Sequence, residues 1–320
     1  MSRRAAFTLV ELLVVAGIFA MLFGLVLSGG RPSSAGQIRQ AAQSIASVLL
    51  ATQSRSLGNP AGAGVVLDPA VAGSPAVYTV SAADMLPLIT GSCTSGMPPS
   101  NMGASSTSVS IEPDNADAAD LARGYKIRFQ ERDARGVQPP TAWMSFASNV
   151  VTFRTGNGQG PQNTNWPKPV AGGSFSVFIA RYPNEAATAY ELPKQVAIDL
   201  RYSGVGDGTT FDTDWSNLSG KGAIAITFDS VGEIDALMQN VLGTPTVQPT
   251  HPVSPIYLLV ASRDDVTAGT ALASDRSAWV VVHPQTGRVS VSSNVPQVAT
   301  DATALRAARA KAREGIAIGK

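Results

Sequence analysis

The sequence predicts an α+β fold: a long N-terminal helix, transmembrane and then amphipathic, packed on a mainly antiparallel β-sheet body. Three features predict it. Residues 7–27 form an apolar run in which Thr8 and Glu11 are the only polar side chains. Residues 33–57 repeat apolar side chains at three-and-four spacing. From residue 58 onward, short runs of β-type residues alternate with Gly, Pro, Ser and Asn clusters.

The apolar run comes first. At about 1.5 Å per residue, a helix from Phe7 to Leu27 spans roughly 30 Å, the thickness of a bilayer hydrocarbon core. Arg3 and Arg4 precede it, the asymmetry that keeps an N-terminus cytoplasmic and sends the following chain across the membrane. Glu11 sits one turn inside, where an unpaired carboxylate costs about 2.5–3.5 kcal/mol. From these residues alone, a plain signal anchor with a chance Glu and a removable signal peptide cut near Ser28 are both open.

The stretch Ala6-Phe7-Thr8-Leu9-Val10-Glu11-Leu12-Leu13 resembles the type IV prepilin signal. That resemblance implies cleavage between Ala6 and Phe7 by a prepilin peptidase, with Ala6 where the family usually has Gly. It implies methylation of the Phe7 amine, and pairing of Glu11 with the Phe7 amine of a neighbouring subunit when helices stack. It implies a pilin-like fold and a single-pass protein of the bacterial inner membrane. Its partners would be other pilin or pseudopilin subunits, the peptidase and an inner-membrane assembly platform. The divisions expected are a leader at 1–6, a transmembrane and assembly helix at 7–28, an amphipathic continuation at 33–57, a β-rich periplasmic body at 58–299 and a basic Ala-rich tail at 300–320.

Ser28-Gly29-Gly30-Arg31-Pro32 breaks or bends the rod, because Pro removes a helix hydrogen bond and Gly costs about 1 kcal/mol in a helix. The next helix buries a stripe of Ile38, Ala41, Ala42, Ile45, Val48, Leu49 and Thr52 and ends at Leu57-Gly58-Asn59-Pro60. Strands are predicted at 64–67, 77–80, 107–111, 125–131, 150–154, 175–181, 195–200, 223–229, 256–262, 279–283 and 288–291, arranged as a meander. Three stretches, 81–106, 155–173 and 204–221, read as insertions too poor in apolar side chains to order themselves unaided. Gly287, in Pro284-Gln-Thr-Gly, is expected to supply a positive φ in a tight turn. The runs 194–200, 223–232, 256–260 and 279–289 resemble successive strands of the H-type minor pseudopilins (GspH/FimT-like) of type II secretion and type IV pili, over about a third of the body.

Lys plus Arg number 24 and Asp plus Glu 23, so no overall field drives binding to nucleic acid. A single cysteine, Cys93, excludes an intramolecular disulfide and a multi-cysteine metal site. His251 and His283 each precede Pro, with no Gly-x-Ser-x-Gly or His-Glu-x-x-His around them. This inventory implies a protein that is not an enzyme.

Two local features stand out. Asp207, Asp212 and Asp214 offer hard oxygen ligands to calcium, but the Gly and closing Glu of an EF-hand loop are missing, which favours a solvated polar turn over a calcium site. No other cofactor is implied. In the tail, Arg306, Arg309 and Arg313, with Lys311 beside them, form the one local basic patch. It reads as a solvated helix end, a docking helix for an acidic partner, or a nucleic-acid contact. The leading functional expectation is a structural minor pilin or pseudopilin, and the alternative is an anchored adhesin or DNA-uptake minor pilin binding through loops or tail.

Overall fold

The computed structural model describes residues 13–21, 34–69, 74–85, 88–93, 108–114, 121, 123–129, 142–147, 150–153, 174–179, 184–185, 189–211, 223–240, 247–298 and 301–318. Helix α1 (Ser34–Ser56) leads into β1 (Ala63–Pro69) and β2 (Ala76–Asp84). Six strands follow: β3 (Ile89–Cys93), β4 (Ser108–Pro113), β5 (Gly124–Phe129), β6 (Ala142–Ala147), β7 (Val150–Phe153) and β8 (Ser174–Ile179). Then come the short β9 (Asn184–Glu185) and β10 (Tyr190–Glu191), the long β11 (Val196–Val205), and β12 (Thr209–Thr210). The chain continues through β13 (Ile224–Phe228), β14 (Ile234–Asn240), β15 (Val247–Thr250) and β16 (Ile256–Ser262). Helix α2 (Arg263–Ala268), β17 (Ala278–Val282), β18 (Val289–Ser293) and helix α3 (Ala302–Ile318) complete it.

The main sheet runs β15-β14-β13-β1-β2-β11-β16-β17-β18, and its described ladders are antiparallel. This is α+β, but the strand order is not the expected meander. Two meanders, β13–β15 and β16–β18, flank a centre of β1, β2 and β11, so the chain crosses the sheet twice. Periodicity reports which residues form strands; it carries no information on which strands become neighbours. Strands β3 to β8 close into a separate barrel, inserted between β2 and β11, which themselves pair through Ile198↔Val77 and Asp199↔Ala76.

Side-chain alternation divides the sheet into two buried faces. On one, Val65, Leu67, Ile198, Ile226, Leu258, Val260 and Val280 pack with Ile38, Ala41, Ala42, Ile45 and Leu49 of α1. On the other, Tyr257, Leu259, Trp279 and Val281 meet Ala304, Leu305, Ala308 and Ala312 of α3. Further along that second face, Val66, Ala225, Ala236 and Met238 meet Tyr125 and Phe178 of the barrel. Covering both faces explains why β16 and β17 read as unbroken apolar runs rather than alternating ones.

Polar groups fix the barrel to the sheet. Asp235 of β14 accepts a hydrogen bond from Tyr125 Oη at 3.0 Å and pairs with Lys126 Nζ. Burial, with Asp235 as a second cause, raises the Tyr125 pKa well above its ordinary value, so the phenol stays a donor. Helix α1 stops as expected: Gly58 has φ 76°, and its N–H donates to Ser230 O at 3.0 Å. Gly287 does adopt φ 60°, and a Cβ there would lie 2.1 Å from Gln53 Nε2 and from Gly232 O, so the hairpin turn can sit on α1 only without a side chain.

The expected insertions are partly strand. Ser81–Asp84 extends β2, Ile89–Cys93 is β3, and Gly204–Val205 ends β11 before the β12 hairpin. Residues 155–173 lie outside the described residues.

One buried acid sets a pH dependence. Asp199 is 0% exposed at a bulge of β11; its Oδ1 accepts from Arg201 N at 2.9 Å, and its Oδ2 meets no partner among the described residues. Burial raises its pKa from 3.8 to about 6, opposed by the Arg201 amide and guanidinium. The folded state therefore binds this proton more tightly than the unfolded one. No penalty exists below about pH 4; it grows as pH rises from 4 to 6 and is complete above 6. Asp199→Asn is expected to remove that fall, gaining about 2–3 kcal/mol over the parent at pH 8 relative to pH 4, measured by urea unfolding at both pH values.

Candidate functional site

The first candidate is the N-terminal segment. Ala6, Phe7 and Glu11 lie outside the described residues. Residues 13–21 are helical, and Leu13, Val14, Val15, Ile18, Phe19 and Met21 are each exposed by 45% or more. These side chains spread over about two thirds of the helix circumference and the small residues Ala16, Gly17 and Ala20 take the remaining positions, all exposed, whereas α1 and α3 bury one stripe. An apolar helix surface of this kind marks contact with lipid or another protein. Among the described residues no helix is long and apolar enough to cross a membrane.

The body has a near end and a far end relative to this segment. Helix α1 begins at the near end, where Arg276 Nη1 donates to Ser34 Oγ at 3.3 Å and Arg39 Nη2 to Ser293 Oγ at 3.2 Å. It finishes at the far end, where Gln53 Nε2 donates to Gly232 O at 2.8 Å and Thr286 O at 3.0 Å.

The second candidate lies at that far end, around α3. Asp301 starts the helix by accepting from Ala304 N at 2.8 Å through Oδ1. Four small or apolar residues, Ala304, Leu305, Ala308 and Ala312, then face the sheet, and their size lets the helix backbone come close. Arg309 falls on this same stripe and is 0% exposed. Its Nη1 donates to Gly206 O at 2.7 Å and Thr209 O at 3.0 Å, its Nη2 to Tyr202 O at 2.8 Å, and its guanidinium lies 5.3 Å from the centre of the Tyr257 ring. Burial lowers its pKa to about 10, with Tyr257 and Asp207 acting in the opposite sense; it remains a cation at neutral pH.

The four predicted tail cations therefore separate. Arg309 is an interior residue that holds the β11–β12 turn. Arg306 is exposed and crosses that turn, so a Cβ on Gly208 would lie 2.8 Å from its Nε. Lys311 is exposed and pairs with Glu314 at 2.8 Å. Arg313 is exposed and stands near His283 and Arg288; burial first, then these two arginines, lower the His283 pKa.

Asp207 lies in the turn that Arg309 holds, so the acidic loop and the basic tail, far apart in sequence, meet in space. Burial, and after it Asp207, raises the Tyr257 pKa against the pull of Arg313 and Arg309. Asp212 and Asp214 lie outside the described residues, and among the described residues no three His, Cys, Asp or Glu side chains converge as a metal site. His251 contacts Asp235 O through Nδ1 at 3.0 Å, and Cys93 lies in β3 opposite Ile111. Sequence reasoning missed His283 and Arg288 as members of the far-end cluster. The signal was available in the hairpin at 284–287, which sets residues 283 and 288 opposite each other.

A family model described as the prokaryotic N-terminal methylation motif matches residues 1–27. Searches of curated proteins and of solved structures each find no match. The chain thus carries at its start a prepilin-type methylation motif, which supports N-terminal processing of the kind found in type IV pilin-like and pseudopilin-type proteins.

Proposed function

We propose that the protein is a non-enzymatic structural subunit, a minor pilin or pseudopilin of a type IV pilus or type II secretion pseudopilus. The match over residues 1–27 carries the reading. The exposed apolar helix at 13–21 supports it, as does the burial of α1 along the sheet, which joins the body to the end of the N-terminal segment.

In this reading a prepilin peptidase cuts between Ala6 and Phe7 and methylates the new amine. Residues 7–28 then lie in the inner membrane with the body on the periplasmic side, and the helix enters a filament through an assembly platform. Glu11 pairs with the Phe7 amine of a neighbour, so two opposite charges share one low-dielectric layer.

A second reading, an adhesin or DNA-uptake minor pilin, draws on Arg288, Arg306 and Arg313. They are exposed and have no ion-pair partner among the described residues.

The mass of the mature N-terminal peptide tests the processing. A peptide beginning at N-methylated Phe7 is expected; an intact Met1, or a start near Ser28, would refute it.

A further inference from the structure

The two ends of the main sheet differ. At one edge, β15 carries Pro249, opposite Met238; proline has no N–H to offer a further strand, a common way of blunting an edge. At the other edge, β18 has the sequence Val-Ser-Val-Ser-Ser, with no proline and no charge, and pairs with β17 in unbroken register from Ala278↔Ser293 to Val282↔Val289. Its ladder bonds fix which way its backbone points. His283 N donates to Arg288 O at 2.9 Å and Asn294 N to Ser277 O at 2.9 Å. Hydrogen-bonded pairs alternate in an antiparallel ladder, so residues 288, 290, 292 and 294 bond to β17. The N–H and C=O groups of Val289, Val291 and Ser293 therefore face away from the sheet.

The start of this edge is cationic. Arg288 lies opposite His283, on the face where α3 packs against β18 and β17; after burial, Arg288 and then Arg313 of α3 disfavour a charge on the imidazole. Arg288 and Arg313 are exposed, and neither has an ion-pair partner among the described residues. Of the described acids around this corner, Glu314 feels the charge of Arg313 but is paired with Lys311 at 2.8 Å, and Asp207 acts on Tyr257 and Arg309.

We infer that the open edge of β18, together with Arg288 and Arg313, is a docking strand for an extended acidic segment of a partner protein. Backbone bonds to Val289, Val291 and Ser293 hold such a segment, and alternate side chains carry the specificity. Those on the α3 side meet the two arginines; those on the α1 side continue the apolar row of Val289 and Val291. Nucleic acid fits less well. Among the described residues, the large aromatic rings packed under α3, Tyr257 and Trp279, are both buried, so neither offers bases a platform to stack on. Strand β18 and both arginines belong to the body, so a failure of docking is distinguishable from a failure of Phe7 processing.

The test uses the full chain in detergent micelles and an eight-residue peptide alternating Glu and Val. Its controls are a Lys-Val twin and a Glu-Val peptide interrupted by proline. The acidic peptide is expected to bind roughly tenfold tighter than the basic twin, the value of two opposite-charge cross-strand pairs. Hydrogen exchange at Val289, Val291 and Ser293 should slow on binding. Arg288→Glu with Arg313→Glu, both at exposed positions, should invert the preference toward the basic twin. Val291→Pro removes an outward donor without removing a ladder bond and should abolish binding; if that variant fails to fold, the charge inversion and the interrupted peptide still decide. Equal binding of the proline-interrupted peptide would overturn the strand pairing. So would tighter binding of a short duplex DNA than of the acidic peptide, or dimerisation of the chain through β18 in place of peptide binding.

Discussion

Arg309→Ala is expected to destabilise the body by about 3–5 kcal/mol, the range for removing one member of a buried charged network. Its guanidinium bonds three backbone carbonyls, Tyr202 O, Gly206 O and Thr209 O. Truncation removes the donors of all three and opens a gap between α3 and the Tyr257 ring. The loss measures orphaned acceptors rather than the net worth of the arginine, since burial lowers its pKa to about 10 even with Tyr257 and Asp207 acting in the opposite sense. Arg309→Lys should recover little, because one ammonium cannot span carbonyls that a planar fork reaches from two nitrogens. Arg306→Ala and Arg313→Ala, at exposed positions, should each stay within about 0.5 kcal/mol of the parent. Urea unfolding followed by circular dichroism reads all four variants. An Arg309→Ala protein as stable as the parent would show that α3 does not need this tie.

Glu11→Ala is expected to reduce incorporation into filaments on the order of 100-fold while leaving the melting of the body unchanged. The neighbour's Phe7 ammonium would then sit in hydrocarbon without a counter-charge. A charge at that depth costs about 2.5–3.5 kcal/mol, and each 1.4 kcal/mol is tenfold in an equilibrium. Glu11→Gln should fail similarly, because the amide keeps the shape and loses the charge. Quantifying the subunit in sheared filaments against the membrane pool gives the ratio. Normal incorporation of Glu11→Ala would eliminate the pairing assigned to that carboxylate.

How far the fold could be read in advance depended on the kind of signal. Helix α1 announced itself through the stripe Ile38, Ala41, Ala42, Ile45 and Leu49 and its stop at Gly58, because both are local and period-determined. Strands β16 and β17 were equally visible, as runs too apolar for a solvated face. Strand β14 was missed: Ile-Asp-Ala-Leu-Met-Gln-Asn is rich in helix formers, and its strand state comes from pairing with β13, a tertiary override of local preference. The barrel was missed as a unit because closure depends on distant pairings such as β3 with β8, and short β-type runs carry no mark of their partners.

The candidate sites divide in the same way. Ala6, Phe7 and Glu11 fall within residues 1–27, which match a prokaryotic N-terminal methylation motif; a motif of this kind is written in linear sequence, so that part was legible without the fold. The sequence also determined the α+β class, the amphipathic α1 and the turn at Gly287. Only the tertiary structure decided the fate of the tail. Spacing placed Arg306, Arg309 and Arg313 together as one basic patch. Packing of Ala304, Ala308 and Ala312 against the sheet drew Arg309 inward onto the carbonyls of the β11–β12 turn and left Arg313 beside His283 and Arg288. The physical reason is that helical periodicity fixes the angle between side chains but not which face the core will cover. That choice is made by the surface the helix meets, here buried aromatics of β16 and β17 together with backbone carbonyls of β11 and its turn, the carbonyl of Tyr202 lying 107 residues earlier in the chain.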